Sequence, residues 1–298
     1  MTGEILPQEF GGTWSLIKLD VLHDYLRFFT TALKNQRFRL VYIDAFAGSG
    51  AMLIDGGPGP LFDPEASSIH RGSASLALAV EPPFDSFQFV ERSAVNVQSL
   101  RALAQGRPDV AIWQDDANTR LREICATFDR RSFRGVVFLD PFALSVEWET
   151  LKSIAATGAL DVWYLFPTTA TVRLLALDAE KVTAGNAARV SQLLGTDDWR
   201  TEFYPEPPVQ TTLFGNEPGQ RRRLADVVAI EAFVKRRLES IFSAVSEPAR
   251  LGRSQNQTLF SLFFAVSNPN KRAIELAMRG AQHILRNRRR ASRPRSGR

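Results

Sequence analysis

Four acidic positions sit where apolar, β-favouring runs give way to small residues, and their types and spacing could build one binding site. The first is Asp44, inside VYIDAFAGSG (41–50), where Phe46, Gly48 and Gly50 turn the chain sharply. Glycine suits that turn because a side chain would block a ligand or force a strained φ. A buried strand running into an acid and a glycine turn makes a nucleotide-sized site. The second position is Glu91, closing FQFVE, and the third is the Asp115 and Asp116 pair in QDDAN, followed by Ala117. The fourth is Asp140 in VVFLDPF (136–142), followed by Pro141 and Phe142. A carboxylate and the Pro141 carbonyl can accept the hydrogen bonds of an amino group and orient its nitrogen lone pair, an arrangement that strengthens as positive charge develops there. The plainer alternative is that each acid caps the following helix or turn, and that LDPF ends a core strand with a rigid turn.

Bringing these residues together requires several strands in register, and the chain alternates strand and helix signals as a parallel sheet does. Leu16, Leu19, Leu22, Leu26, Phe29 and Leu33 recur at near-helical spacing, predicting an amphipathic helix over 14–33 before a first strand at 39–44. After the glycine turn the chain should climb into a helix. Residues 56–70, rich in Gly, Pro, Asp and Ser, read as a long loop before a helix at 74–80. Strands follow at 87–91, 110–113, 136–140 and 160–166, the last stopped by Pro167, with helices at 94–104, 120–128 and 148–156 between them. The second half is less regular. Residues 171–194 read as helical with a weak point near Gly185, 204–220 as a Pro- and Gly-rich excursion, and 224–245 as helical again. A terminal hairpin pairs 243–251 with 258–266 through a polar turn at 252–257, and a helix at 271–285 closes the fold. The resulting organisation is a single α/β domain over 1–285, with a helical and loop elaboration at about 171–242.

Composition narrows the classes further. The net charge of +5 resides in the last thirteen residues, which hold seven arginines and no acid and leave the rest at −2. A basic tail over 286–298, expected to be disordered, could attract phosphate backbones in a salt-sensitive, non-specific way, or simply be solvated. The single cysteine, Cys125, excludes an intramolecular disulfide, so a reducing, cytoplasmic setting is the default. His23, His70 and His283 have no metal-ligand spacing, and no metal site is expected. Neither a membrane span nor a secretory signal is evident. Trp14, Trp148 and Trp163 read as core anchors rather than stacking platforms.

The order of signals resembles a class I S-adenosylmethionine (SAM)-dependent methyltransferase: an acidic glycine loop after strand one, acids after strands two and three, and DPF after strand four. A dinucleotide-binding fold is the weaker comparison, because GSGAML lacks the third glycine of G-x-G-x-x-G. The resemblance implies a Rossmann-like, mostly parallel sheet with a C-terminal antiparallel hairpin, an N-terminal helix and a helical insertion. It implies that Glu91 accepts both ribose hydroxyls, that Asp116 with Ala117 contacts the adenine, with Asp115 the competing choice, and that Asp44, Phe46, Gly48 and Gly50 face the methionine part. Asp140-Pro141-Phe142 resembles the [DN]-P-P-[FYW] signature of methyltransferases acting on exocyclic amines of nucleic-acid bases, which implies an RNA or DNA substrate with Phe142 stacked on the base. The second proline of that signature is absent, and Ala143 follows the phenylalanine.

With the flanks included, WSLIKLDVLHDYL, YIDAFAGSG, HRGSASLAL, FQFVE and FLDPFALSVEWETLKSIAATGALDVWYLFP together are similar to the bacterial three-Cys-motif partner protein family over most of the chain. Trp14, Ser15 and Lys18 belong to its N-terminal signature, and Gly72 with Ser73 matches its GS element, implying loop support on the cofactor or substrate side. The family implies a SAM-binding fold and a cysteine-motif protein partner. Two functions follow as expectations: an active methyltransferase, or a SAM-fold scaffold that acts with that partner without methyl transfer.

Overall fold

A computed structural model of the chain describes residues 8–9, 13–54, 68–206, 210–212, 215–217, 221–254 and 257–291. The apolar runs become one eight-stranded sheet: β1 (Arg39–Asp44), β2 (Ser86–Glu91), β3 (Val110–Gln114), β4 (Phe133–Leu139), β5 (Leu160–Phe166), β6 (Ala244–Val245), β7 (Ala249–Ser254) and β8 (Gln257–Val266). The order is β6-β8-β5-β4-β1-β2-β3, with β7 also paired to β8. Strands β1 to β5 are mutually parallel, whereas β8 is antiparallel to β5, β6 and β7. This is a Rossmann-like, mostly parallel sheet with a C-terminal antiparallel hairpin.

Central parallel strands are covered on both faces, so they read as unbroken apolar runs. Successive side chains nonetheless go to opposite faces. Leu40 and Tyr42 of β1 pack with Trp163 and Phe264 against α1 (Thr13–Leu33) and α10 (Lys271–Ala291). Val41 and Ile43 pack on the other face, under α4 (Ala117–Ala126), α5 (Trp148–Ala156), α7 (Ala184–Leu194) and α9 (Val227–Glu239). The remaining helices are α2 (Ser73–Leu78), α3 (Ala94–Leu103), α6 (Thr168–Leu174) and α8 (Trp199–Phe203). No helix among the described residues is long and apolar enough to cross a membrane.

Several expectations need correction. The chain does not climb into a helix after the glycine turn. It leaves as a strand, Ala51–Ile54, which pairs antiparallel with Ser68–Arg71 and parallel with Gln8–Glu9. Residues 68–70 of the expected loop are thus strand, and 55–67 lie outside the described residues. The helical stretch from 171 breaks between α6 and α7, with only a 3-10 turn, Ala179–Lys181, between them. Gly185 is not the weak point, because it falls in the first turn of α7 after the Thr183 cap, where little intrahelical bonding is lost. The stretch over 224–245 ends its helix at Glu239 and contributes an edge strand, β6. Within the excursion, Gln210–Thr212 and Gly215–Glu217 form a small ribbon. Helix α10 continues through Ala291, six residues into the stretch expected to be disordered. Arginine is a good helix former and is favoured at a helix C-terminus, so the basic run prolongs the helix.

Gly135 lets β4 and β1 approach: a Cβ there would lie 2.6 Å from both Val41 Cγ1 and the Val41 carbonyl oxygen. Replacing Gly135 with Ala should lower unfolding stability by roughly 1–3 kcal/mol, read by urea denaturation. An unchanged midpoint would show that these strands have slack.

Candidate cofactor and acceptor site

Parallel sheets open a crevice at the carboxyl ends of their strands where the strand order reverses, here beside β1. The chain builds a cleft of about 800 Å³ there. Its walls include Phe46, Gly48 and Gly50 after β1, Glu91 after β2, Asp115, Asp116 and Ala117 after β3, and Asp140, Pro141 and Phe142 after β4. Every predicted site residue except Asp44 therefore reaches one cavity.

The glycine turn is assembled from two separated segments. Gly48 and Gly50 have φ of 61° and 79°, in the left-handed region. The ribbon that leaves at Ala51 returns at Arg71 in direct register, and the Gly72 amide then donates to the Gly50 carbonyl at 2.9 Å. A Cβ on Gly72 would stand 2.9 Å from the Gly50 carbonyl carbon, so glycine is required on both sides of the junction. Helix α2 starts immediately afterwards, and Gly72 and Ser73 line the cleft as the turn's second half.

Glu91 is fixed by two backbone donors, Gly48 N to Oε2 at 2.9 Å and Ser93 N to Oε1 at 2.7 Å. Each carboxylate oxygen has two lone pairs, so capacity remains for a vicinal diol. Asp115 accepts from the Asp116 amide at 2.7 Å and from Arg120 Nη2 at 2.7 Å, and these bonds hold its carboxyl below the usual range. Arg120 also lies over the Trp113 ring, 4.3 Å from its centroid. Asp116 caps α4, its Oδ1 accepting from the amides of Asn118 and Thr119. The capping alternative is therefore true of Asp116, and the same residue still faces the cleft.

Asp44 lies behind the wall. It is fully buried and is not among the lining residues, which corrects the expectation that it faces a ligand directly. Tyr42 donates to Oδ2 at 3.2 Å and the Phe46 amide to Oδ1 at 3.3 Å, and Ser73 from the second half of the turn also bonds to it. The acid that closes the strand underpins the turn rather than contacting what the turn holds. Burial pushes its carboxyl up to about 7; hydrogen bonding from Ser73 opposes this and the nearby Asp140 charge adds to it.

At the end of β4 the acid has a partner that spacing alone did not reveal. Lys18 Nζ of α1 forms an ion pair with Asp140 Oδ2, and the lysine, 6% exposed, also lies over the Trp14 ring at 5.3 Å. Among the described residues Asp140 Oδ1 has no hydrogen-bond partner. Pro141 is buried while Phe142 is 79% exposed at the cleft rim. Ala143 follows with φ of 56°, a left-handed conformation that costs a non-glycine residue energy and turns the loop away from the strand. Asn118 clamps this loop to α4: its Nδ2 donates to the Ser145 carbonyl at 2.8 Å, while Oδ1 accepts from the Glu147 amide and from Thr150.

The sequence reading missed Lys18 as a site residue, along with Val95 and Phe260. Phe260 comes from β8 and stacks on Trp14 with centroids 4.8 Å apart, so Trp14 is a cleft wall as well as an anchor, whereas Trp148 and Trp163 are core. The available signal was a cation inside an apolar stripe: Trp14, Lys18, Leu22 and Leu26 follow one another at four-residue spacing on α1.

No family model and no curated protein matches the sequence. Among solved structures, the chain is similar to protein LPL1258 of Legionella pneumophila, from the DUF519 family, at 14% identity and a TM-score of 0.49, over 92% of this chain and 93% of that one. It is also similar to the bifunctional kinase-methyltransferase WbdD, at 15% identity and 0.41, over 84% of this chain but only 39% of that one. A third likeness is to DhpI in its SAH complex, at 10% identity and 0.32, over 87% and 100%.

The buried acid gives a pH signature. The folded chain keeps a proton on Asp44 up to about pH 7, whereas the unfolded chain sheds it near 3.8. Between these values the folded state binds more protons, so its stability falls as pH rises and levels off above about 7. Asp161, buried at the start of β5 with Tyr25 donating to it at 2.7 Å, is likewise raised to about 7 by burial and acts in the same direction. Denaturation midpoints measured from pH 5 to 8 should decline, and Asp44→Asn should flatten the slope. A wild-type slope retained in Asp44→Asn would remove Asp44 as a source.

Proposed function

We propose that the chain is a SAM-dependent methyltransferase whose acceptor is an exocyclic amine of a nucleic-acid base. The observation that carries this reading is the convergence of Glu91, the Asp115 and Asp116 pair, the two-part glycine turn and the Asp140-Pro141-Phe142 loop on one cleft. The residues present fit the cofactor. Glu91, held by two backbone amides, would take the ribose hydroxyls with its remaining lone pairs. Asp115 is already committed to Arg120, so Asp116, whose cap uses only Oδ1, is the better acceptor for the adenine amine, and Val95 adds an apolar side chain to the cleft lining. The Gly48, Gly50 and Gly72 backbones, which line the cleft, would face the methionine part, and Asp44 acts through the turn it supports. When bound, SAM supplies an electrophilic methyl group on a sulfonium.

The chain's own residues would present the nucleophile. Asp140 Oδ1 and the Pro141 carbonyl accept the two amine hydrogens, which directs the nitrogen lone pair into the cleft. Lys18 orients the Asp140 carboxylate through Oδ2. Exposed Phe142 gives the base a face to stack on, while Trp14 and Phe260 wall the cleft nearby. A base in a duplex would first be flipped out, so single-stranded or structured nucleic acid is the easier substrate.

The Lys18 ammonium also favours a second reading. A carboxylate already neutralised by a buried lysine stabilises developing positive charge less than a lone one, as suits a SAM-fold scaffold that acts with a three-cysteine-motif protein.

Calorimetric titration with SAM, followed by incubation with labelled SAM and total cellular RNA, DNA and protein, tests both. Glu91→Gln should weaken SAM binding by about tenfold, near 1.4 kcal/mol. Asp140→Asn should leave SAM affinity within about twofold while cutting transfer by about a hundredfold or more. Failure to bind SAM overturns the cofactor assignment. Binding without transfer, with or without the cysteine-motif protein, leaves the scaffold.

A further inference from the structure

The end of the sheet opposite the cleft carries a basic surface that the methyltransferase reading does not use. Arg39 opens β1 beside Phe133, which opens β4, and Arg134 follows it next to Leu40. Arg37 precedes β1, and Arg130 and Arg131 precede β4, with Arg130 lying beside Gly158 just before β5. Strand β8 runs the other way and ends at this edge, where Val266 pairs with Asp161, so α10 begins here with Lys271 and Arg272. Seven cations thus gather across the ends of β8, β5, β4 and β1, which are consecutive in the sheet. All but half-buried Arg134 are exposed, and none of the seven forms a salt bridge among the described residues.

Three features separate this surface from an ordinary solvated edge. The first is crowding. Burial, then the Arg130 and Arg37 charges, hold the Arg134 guanidinium below its ordinary pKa, so the cluster repels itself as it stands. Nearby acids offset it only in part, Asp161 favouring the charged Arg134 and Asp129 interacting with Arg131. Asp85 accepts from the Leu40 amide, Asp129 accepts from the Arg131 amide, and Asp161 is buried against Tyr25. The second is preorganisation. Arg134 and Arg37 lie over Phe38 at 3.9 and 5.9 Å, and Arg39 lies over Phe133 at 5.2 Å. Arg134 Nη1 is engaged with the Arg130 and Phe133 carbonyls, whereas exposed Arg37 and Arg39, resting on their rings, keep an N–H edge available for a bidentate phosphate contact. The third is that Lys271 and Arg272 occupy the first turn of a helix with no acid there, where the helix dipole disfavours cations unless an anion is near.

We propose that this arginine-rich end of the sheet is a docking surface for the phosphodiester backbone of a nucleic acid. Four neighbouring strands span roughly 15 Å, the length of about four stacked nucleotides in one strand. A repeating row of phosphates matches a row of guanidinium forks better than the irregular carboxylates of an acidic protein. The contacts are to backbone, so binding is salt-dependent and indifferent to sequence. The surface stands independently of the cleft, and a chain that transferred no methyl group would still bind here.

Anisotropy of a fluorescein-labelled single-stranded RNA of about 20 nucleotides, titrated with the full-length chain at several salt concentrations, tests the proposal. The quadruple variant Arg37→Ala, Arg39→Ala, Arg130→Ala and Arg131→Ala should lose at least about tenfold in affinity at low salt, and the slope of log K against log salt should shrink by about 2–3, near 0.7 per cation removed. Its SAM titration should match the parent, which separates this result from any failure of the cleft assignment. If the quadruple variant unfolds, the Arg37/Arg39 and Arg130/Arg131 double variants should each lose part of the slope. Unchanged affinity and slope would overturn the surface and leave RNA binding to the C-terminal arginines. Competition by polyglutamate as effective as unlabelled RNA at equal charge would overturn the nucleic-acid assignment in favour of an acidic protein.

Discussion

Two carboxylates end adjacent strands in the middle of the sheet, and the architecture of the cleft follows from how they are kept there together. Asp44 closes β1 opposite Phe138 of β4, and Asp140 stands two residues beyond Phe138, just past the end of β4. Like charges this close in a poorly hydrated interior cannot both ionise freely. The fold separates their roles. Asp44 is sealed from solvent, surrounded by Tyr42, Ser73 and the Phe46 amide, and retains its proton toward neutrality. Asp140 faces the cleft and is matched by Lys18. The N-terminal helix is therefore more than a cover for one face of the sheet. It delivers the cation that pairs with the acid at the end of β4, while its Tyr25 donates to the buried acid Asp161.

The same economy governs the glycine turn. In the sequence, Gly50 and Gly72 are separated by a polar stretch that reads as an interruption. In the fold the interruption leaves and returns as neighbouring strands, so its closure costs the rest of the chain little, and the amide of Gly72 meets the carbonyl of Gly50 as though the intervening residues were absent. Ser73 then reaches Asp44 beneath the turn. The ribbon is thus an addition to a preserved turn rather than a replacement for it, which is why HRGS is as much a part of the site as AFAGSG.

What could be read from the sequence divides along the same line. Strands buried on both faces announce themselves as apolar runs, and β1, β4 and β5 were legible for that reason; β2 was legible from its alternation, and so were the acids that close or follow β1 to β4. Helix α1 was legible from its periodicity. The ion pair was not, because Lys18 and Asp140 lie 122 residues apart and nothing local to either specifies the other. Asp44 was legible as an acid at a strand end but not as a buried one, since a shift of one residue decides whether a side chain faces the ligand or the turn. Phe260 belongs to a strand recognised by its pattern, yet its contact with Trp14 depends on β8 lying antiparallel beside β5 and on α1 crossing that hairpin.

Net charge was the least informative quantity, because it averages over a molecule whose ends differ in sign. Acids gather where the parallel strands finish and arginines where they begin. Helix dipoles in a parallel α/β fold point the same way: helix N-termini, partially positive, surround the carboxyl ends of the strands, and C-termini, partially negative, surround the opposite edge. The acids at the cleft are compensated in this way, whereas at the basic edge α10 begins rather than ends and leaves the arginines less so. Asp116 illustrates the consequence, since the oxygen that caps α4 belongs to a carboxylate that also lines the cleft. Capping and ligand binding favour the same residue at the same position, so an acid after a strand is ambiguous by itself. The ambiguity is lifted only when several such acids, from strands adjacent in the sheet but distant in sequence, border one cavity.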